Sequence, residues 1–353
     1  MDFLVLALAY ILVVAFIIYV LLFGQSDFHR GGIVGRMHTF LTETLWEKLG
    51  RVVARVFGEK CVAWFSGVWD YIANKPNPLT QIFYLSLVLP GYIIFNIYAV
   101  PYFPEGEEGN TPVWRFRKFM VPAWTTVTLT SFLLASLSDP GVITEKNVED
   151  FKGIYPRDDI LYKEVKTCKT CGFERPPRSK HCRKCDLCIS ALDHHCPWVN
   201  NCIGERNMRW FIFFLFCTGV FTGYGSFLGF IVSRNILKED GLFSPDAYIK
   251  VKDGSLIPVN WPIRFMYLMN VSKFLPALVL FGGVMSVFIF GFIIYQLWHV
   301  ARGMTTAETF KWDEIRKKNK NAKNIYNRGA FRNLMDMAFP PSLYRKKEKK
   351  KDN

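Results

Sequence analysis

Acidic residues are scarce in this chain of 353 amino acids: 30 Asp and Glu stand against 44 Lys and Arg, a formal net charge of +14. That balance suits a protein whose charged face meets anionic lipid or phosphate-bearing ligands. Cysteine is scarce too, except in one stretch. Of nine cysteines only Cys61 and Cys217 lie outside it, so dispersed disulfides are not expected and the clustering points to a reducing compartment. Charge is missing altogether between Phe3 and Phe23. No basic residue precedes that run and no small-residue cleavage site follows it. A removable signal peptide is therefore excluded, and an anchor of about the 20 residues a spanning helix needs remains. An aromatic-interleaved basic surface is also lacking, since the basic residues follow the apolar runs; nucleic acid is not an expected partner.

What is present is apolar. Half the residues are hydrophobic and 32 are Phe, while a mean hydropathy of +0.13 conceals apolar blocks separated by basic ones. Between the third and fourth blocks lies the stretch from Cys168 to Cys202. It holds seven cysteines and three of the six histidines. Cys168 and Cys171 form one C-x2-C pair and Cys182 and Cys185 another. His181, Cys188, Asp193-His194-His195-Cys196 and Cys202 complete the set. Paired cysteines at this spacing, with His nearby, are the ligand pattern of tetrahedral zinc. Two four-coordinate sites would use eight of the ten donors and leave one Cys and one His. A spare thiol beside a spare imidazole is what an activated nucleophile requires. Spacing alone does not say which cysteine is spare, and a purely structural zinc module is the plain alternative.

The run Asp193-His194-His195-Cys196-Pro197-Trp198-Val199-Asn200-Asn201-Cys202, with the cysteine framework before it, resembles the DHHC-type protein S-acyltransferases (palmitoyltransferases). The resemblance implies two interleaved zinc sites, Cys168, Cys171, His181 and Cys188 in one and Cys182, Cys185, His195 and Cys202 in the other. It makes Cys196 the nucleophile, His194 its base and Asp193 the residue that orients that base. Thr305-Thr306-Ala307-Glu308 resembles the family's TTxE element, in which the second Thr, here Thr306, contacts the Asp of the DHHC string. Asp139-Pro140-Gly141 resembles another family motif. Gly329, Asn333 and Phe339 resemble the C-terminal element more loosely, because Met335-Asp336-Met337-Ala338 departs from the usual pattern.

The expected fold class is an all-α polytopic membrane protein with about five transmembrane helices and a cytosolic two-zinc domain between the third and fourth. The first span occupies 1–23. A cytosolic amphipathic or interfacial segment covers 24–79, with Thr44 and Glu47 as a capping box; a small soluble subdomain is its alternative. Spans two (Ile82 to Val100) and three (Met120 to Leu137) fall within 80–138, and the cysteine-rich catalytic domain is 139–209. Spans four (Trp210 to Ile231) and five (Leu275 to Leu297) fall within 210–298, and the cytosolic tail is 299–353. Gly219, Gly223, Gly225 and Gly229 mark close helix packing or a narrow cavity wall in the fourth. Basic residues after the first span place the N-terminus outside and the cysteine-rich domain and tail in the cytosol. Lys350 and Lys351 near the end resemble a di-lysine return signal, so endoplasmic reticulum membrane is expected before Golgi.

The implied chemistry is autoacylation of Cys196 from palmitoyl-CoA and transfer of the acyl group to cysteines of membrane-associated substrate proteins. Lys166, Lys169, Arg175, Arg178, Lys180, Arg183 and Lys184 are available for the coenzyme A phosphates, and the resemblance sets Trp198 against the first carbons of the acyl chain. A sixteen-carbon chain gains on the order of 10 kcal/mol by staying in an apolar cavity, at about 0.8 kcal/mol per buried CH2. The competing function is a membrane-anchored zinc adaptor or scaffold without catalysis. A RING-type cross-brace would end in another C-x2-C pair, where this chain has Cys196-x5-Cys202.

Overall fold

The computed structural model describes residues 31–103, 111–158, 160–250, 254–272, 274–320 and 322–343, with 16, 17, 19, 20, 24, 28 and 29 before them. The expected first span and the di-lysine tail fall wholly or largely outside these residues. The chain divides into two units, Met1–Asn74 and Lys75–Asn353.

In the first unit, α1 (Ile33–Thr39) continues through a π-helical turn (Phe40–Thr44) into α2 (Leu45–Phe57), and α3 (Glu59–Asn74) follows. The expected capping box at Thr44 does not form. Thr44 has helical dihedrals and makes no side-chain cap bond, because the turn before it already supplies carbonyls for the N–H groups a cap would serve. Gly58, at φ +82°, ends α2. Leu45, Leu49, Val52 and Val56 occupy one side of α2, Lys48, Arg51 and Arg55 the other. No residue of α2 is buried, and Trp46, Val56, Trp64 and Trp69 are 63–69% exposed.

The second unit contains four helices long and apolar enough to cross a membrane. They are α4 (Leu79–Tyr98), α5 (Pro112–Leu137), then α7 (Met208–Glu239) and α9 (Phe274–Ala301), with the short α6 (Val148–Phe151) and α8 (Trp261–Val271) between. Pro90 sits inside α4 and Pro122 inside α5 without ending either helix. The closest helix pair is α7 with α9. A Cβ at Gly223 would lie 2.6 Å from Ser286 Oγ, and one at Gly229 would lie 2.7 Å from Val279 Cγ2. Both glycines are there to let the backbones approach. Gly225 meets nothing within 4 Å and instead lines a cavity. Two hydroxyls tie the pair: Ser286 donates to the Gly219 carbonyl at 2.9 Å and Ser226 to that of Val279 at 2.6 Å.

Between α5 and α7 the chain leaves the helical pattern for strands of two or three residues. β1 (Val142–Ile143), β2 (Lys180–Cys182) and β3 (Leu187–Ile189) form one antiparallel sheet in the order β1-β3-β2. β4 (His194–Cys196) and β5 (Asn201–Ile203) form a hairpin. A second hairpin, β6 (Tyr248–Lys250) and β7 (Leu256–Pro258), lies between α7 and α8. After α9 come α10 (Thr306–Lys318) and α11 (Ala330–Ala338). Asn333 docks α11: its amide donates to the Ala301 carbonyl at 2.9 Å and to Asn327 Oδ1 at 2.8 Å. Its own Oδ1 accepts the Arg328 N–H at 3.0 Å.

Candidate active site and metal centres

Strand alternation sorts the ligands. Successive side chains of a strand point to opposite faces, so His181 and Cys182 on β2 face different ways. His181 pairs across the ladder with Cys188 of β3, and the two join Cys168 and Cys171 in one group. The Cys168–Cys171 turn closes on itself, with the Cys171 N–H on Cys168 Sγ at 3.4 Å and the Gly172 N–H on the Cys168 carbonyl at 2.9 Å. Cys182 turns the other way, toward Cys185, His195 and Cys202. His195 and Cys202 are direct partners across β4 and β5. The two four-residue groups therefore interleave along the chain.

Both groups fit zinc. With Zn–S near 2.3 Å and Zn–N near 2.0 Å, neighbouring donors of a tetrahedron lie about 3.5–3.8 Å apart. His181 Nδ1 is 3.5, 3.4 and 3.9 Å from the sulfurs of Cys168, Cys171 and Cys188. His195 Nδ1 is 3.9, 3.3 and 3.7 Å from those of Cys182, Cys185 and Cys202. Three thiolates and one imidazole per site is a closed structural donor set with no open position.

The same alternation on β4 turns His194 and Cys196 away from His195, onto one common face. Cys196 is buried, and it lines the same cavity as the His194 ring. His194 Nδ1 lies 2.7 Å from Asp193 Oδ2, and its ring meets Phe211 edge-on at 5.2 Å. Asp193 is 4% exposed. Its other oxygen accepts the backbone N–H of Thr306 at 2.6 Å, which sits in the first turn of α10. The positive end of a helix thus caps the carboxylate. Burial favours the neutral acid, yet the His194 and Thr306 hydrogen bonds hold the Asp193 pKa below its ordinary value. Burial alone would lower the His194 pKa. The Asp193 carboxylate and the Cys196 sulfur outweigh it and raise the value to about 9.

His194, Cys196 and Trp198 line the mouth of a cavity of about 500 Å³ that runs among α4, α5, α7 and α9. Its walls are almost wholly apolar, with Tyr84, Phe214 and Phe292 among them. The turn after Cys196 is fixed from the spans. Thr80 donates to the Pro197 carbonyl, and Gln81 to that of Val199 at 3.0 Å. Asn201 reaches back to the carbonyls of Ala135 and Ser138 at 3.2 and 2.9 Å. The sequence offered no signal for Thr80 or Gln81, since their role exists only where α4 begins beside the hairpin.

Thr305 and Glu308 form the capping box of α10. The basic set expected for phosphates needs one correction. Arg178 is 9% exposed and paired with Glu308 at 2.7 Å, so it does not present its charge to a ligand. Lys180 is half-buried and donates to the Ala307 carbonyl at 2.7 Å. Lys166, Lys169 and Arg183 remain exposed.

The fold and site define a multi-pass membrane protein with two zinc-stapled Cys/His clusters below an apolar cavity. A family model for the DHHC palmitoyltransferase matches residues 161–313. The chain is 28% identical to palmitoyltransferase swf1 of Schizosaccharomyces pombe, over 96% of this chain and 98% of that protein. It is 28% identical to palmitoyltransferase ZDHHC4 of Bos taurus, over 99% and 100%. Its identity to ZDHHC4 of Mus musculus is 30%, over 64% of this chain and 68% of that protein. The chain belongs to the DHHC palmitoyltransferase family.

Proposed function

We propose that the chain is a protein-cysteine S-palmitoyltransferase that carries the acyl group as a thioester on Cys196. The observation that supports this most is the common face of β4, where Cys196 and His194 meet at the mouth of the apolar cavity with Asp193 behind them. His194 accepts the Cys196 proton, the thiolate attacks the thioester carbonyl of palmitoyl-CoA, and the coenzyme A sulfur leaves with the proton from His194. In the second half His194 takes the proton of a substrate cysteine, whose sulfur displaces Cys196. Asp193 holds the imidazole in one tautomer and steadies its positive form. Trp198 borders the cavity mouth, tilted against Phe83 with ring centroids 6.1 Å apart, and packs on the first carbons of the chain. Zinc, held by Cys168, Cys171, His181 and Cys188 and by Cys182, Cys185, His195 and Cys202, supplies folding energy to strands too short to hold themselves. The partners are acyl-CoA and membrane-associated proteins with cytosolic cysteines; the membrane is that of the endoplasmic reticulum.

The test is incubation of purified protein with palmitoyl-CoA. Wild type gains a hydroxylamine-sensitive acyl label, and Cys196→Ser gains none while keeping about two zinc ions per chain. Loss of metal from Cys196→Ser would assign the nucleophile wrongly. A wild-type protein that binds zinc and never labels would return the scaffold reading.

A further inference from the structure

Arg178 is buried and fully engaged, and nothing in the chemistry above uses it. Its Nε and Nη2 reach the two carboxylate oxygens of Glu308 at 2.9 and 2.7 Å, and Nη2 also donates to the Gly303 carbonyl at 3.1 Å. The guanidinium lies against the rings of Tyr155 and Tyr326, 4.9 and 4.7 Å from their centroids, and the two rings meet each other edge-on at 6.1 Å. Glu308, 1% exposed, takes a further bond from Tyr162 at 2.9 Å. Its second oxygen accepts the Thr305 N–H at 3.0 Å. Arg178 holds this place with φ at +63°, a left-handed conformation that a non-glycine residue keeps only when its surroundings over-determine it.

These contacts form one line. Arg178 lies three residues before His181, in the zinc-stapled domain. Glu308 belongs to the first turn of α10, and the next N–H along that turn, Thr306, is the one that holds Asp193. We propose that Arg178 is a positioning residue for acyl transfer: by clamping Glu308 it fixes the first turn of α10, and through Thr306 it fixes Asp193 and His194 against Cys196. The geometry favours this over phosphate binding, since both carboxylate oxygens and a carbonyl already occupy the fork and two tyrosine rings lie against it. Arg is required, because a point charge on a flexible stem reproduces neither the bidentate pair nor the stacking. The proposal rests on the function proposed above.

The test separates positioning from stability. Arg178→Met alone strands a buried carboxylate and lowers Tm for that reason. The double variant Arg178→Met/Glu308→Gln removes both charges, and Gln still completes the capping box. Full-length protein is compared in nanodiscs by zinc content, Tm and single-turnover acylation over a range of palmitoyl-CoA. The double variant is expected to regain two zinc ions and the wild-type Tm, while its acylation rate constant stays down about tenfold to a hundredfold. Its half-saturating palmitoyl-CoA concentration should remain within about twofold. A folded double variant with the wild-type rate constant overturns the proposal, leaving Arg178 a structural residue. A raised half-saturating concentration at an unchanged rate constant also overturns it, in favour of phosphate binding. If the double variant does not fold, Arg178→Lys decides: a wild-type rate constant in that variant is fatal to the proposal. Cys196→Ser runs alongside, and acyl label on it would sink the functional reading instead, whatever Arg178 does.

Discussion

Adjacent histidines at 194 and 195 have the same chemistry and opposite surroundings. Three sulfurs lie within 3.9 Å of His195 Nδ1, whereas His194 lies between a carboxylate and a buried thiol. His195→Ala should therefore drop zinc to about one per chain and unfold the hairpin. His194→Ala should keep both ions and slow acylation about 10²- to 10⁴-fold, the usual worth of a positioned base. Metal analysis and acylation rates on the two variants check this, and equal zinc loss in both would refute the division. The pH dependence follows from the same residue. The folded His194 pKa, about 9, stands above the ordinary imidazole value of 6.5, so folding takes up a proton. The resulting stabilisation is complete below about pH 6.5 and is lost as pH rises through about 9. Thermal unfolding should show Tm falling across that window. In Asp193→Asn, where one of the two raising partners is gone, the fall should be smaller.

At the scale of elements, the 500 Å³ cavity and the two amphipathic helices of the first unit raise opposite questions. The cavity is apolar surface turned inward, and the chemistry at its mouth accounts for it. In α2 and α3 the apolar surface is turned outward. Trp46, Trp64 and Trp69 sit at 63–69% exposure, with Lys48, Arg51 and Arg55 on the other face of α2. We propose that both helices lie in the membrane interface, where indole rings and lysine stems are at home. Along the chain only residues 75–78 separate this segment from α4, a helix long and apolar enough to span. Cysteines placed at Trp46 and Trp64 of the full-length protein and labelled with an environment-sensitive dye should report an apolar setting in nanodiscs. The same dye at Glu47 and Asp70 should report water. Equal signals at all four positions would leave the helices without a membrane role.

For the whole molecule, four described spans place the cysteine-rich domain and α10 on the same side, because two spans, α7 and α9, separate them. Thiolate ligands and basic flanks make that side the cytosol in our reading. Protease added to intact microsomes should cut beyond Ala301 and spare the hairpin of β6 and β7. Cleavage of the hairpin with protection of the tail would invert the orientation. If Lys350 and Lys351 are a spacing-read address, changing both to Ser should move the protein out of the endoplasmic reticulum. Unchanged location would reduce them to a basic patch.

Much of this was legible in order along the chain. Apolar runs of helical length give spans because a bilayer leaves the backbone no other partner, and a C-x2-C pair carries its own turn. Ends were less legible: α5 begins at Pro112 and α7 runs to Glu239, well past the apolar cores at Met120 and Ile231. The cap at Thr44 failed because helical turns before it, invisible in the local motif, already served its purpose. Gly219, Gly223, Gly225 and Gly229 are equivalent in the sequence, yet packing sent Gly223 and Gly229 to α9 and Gly225 to the cavity. By itself the sequence determined the number of metal donors, the surplus of one thiol and one imidazole, and the membrane setting, all of which depend on composition and short spacing. Only the tertiary structure decided which face of β4 meets the cavity, that Thr306 serves Asp193 through its backbone N–H, and that Arg178 faces Glu308 and not a ligand. Those outcomes depend on strand register and on contacts more than a hundred residues apart, which no local pattern encodes.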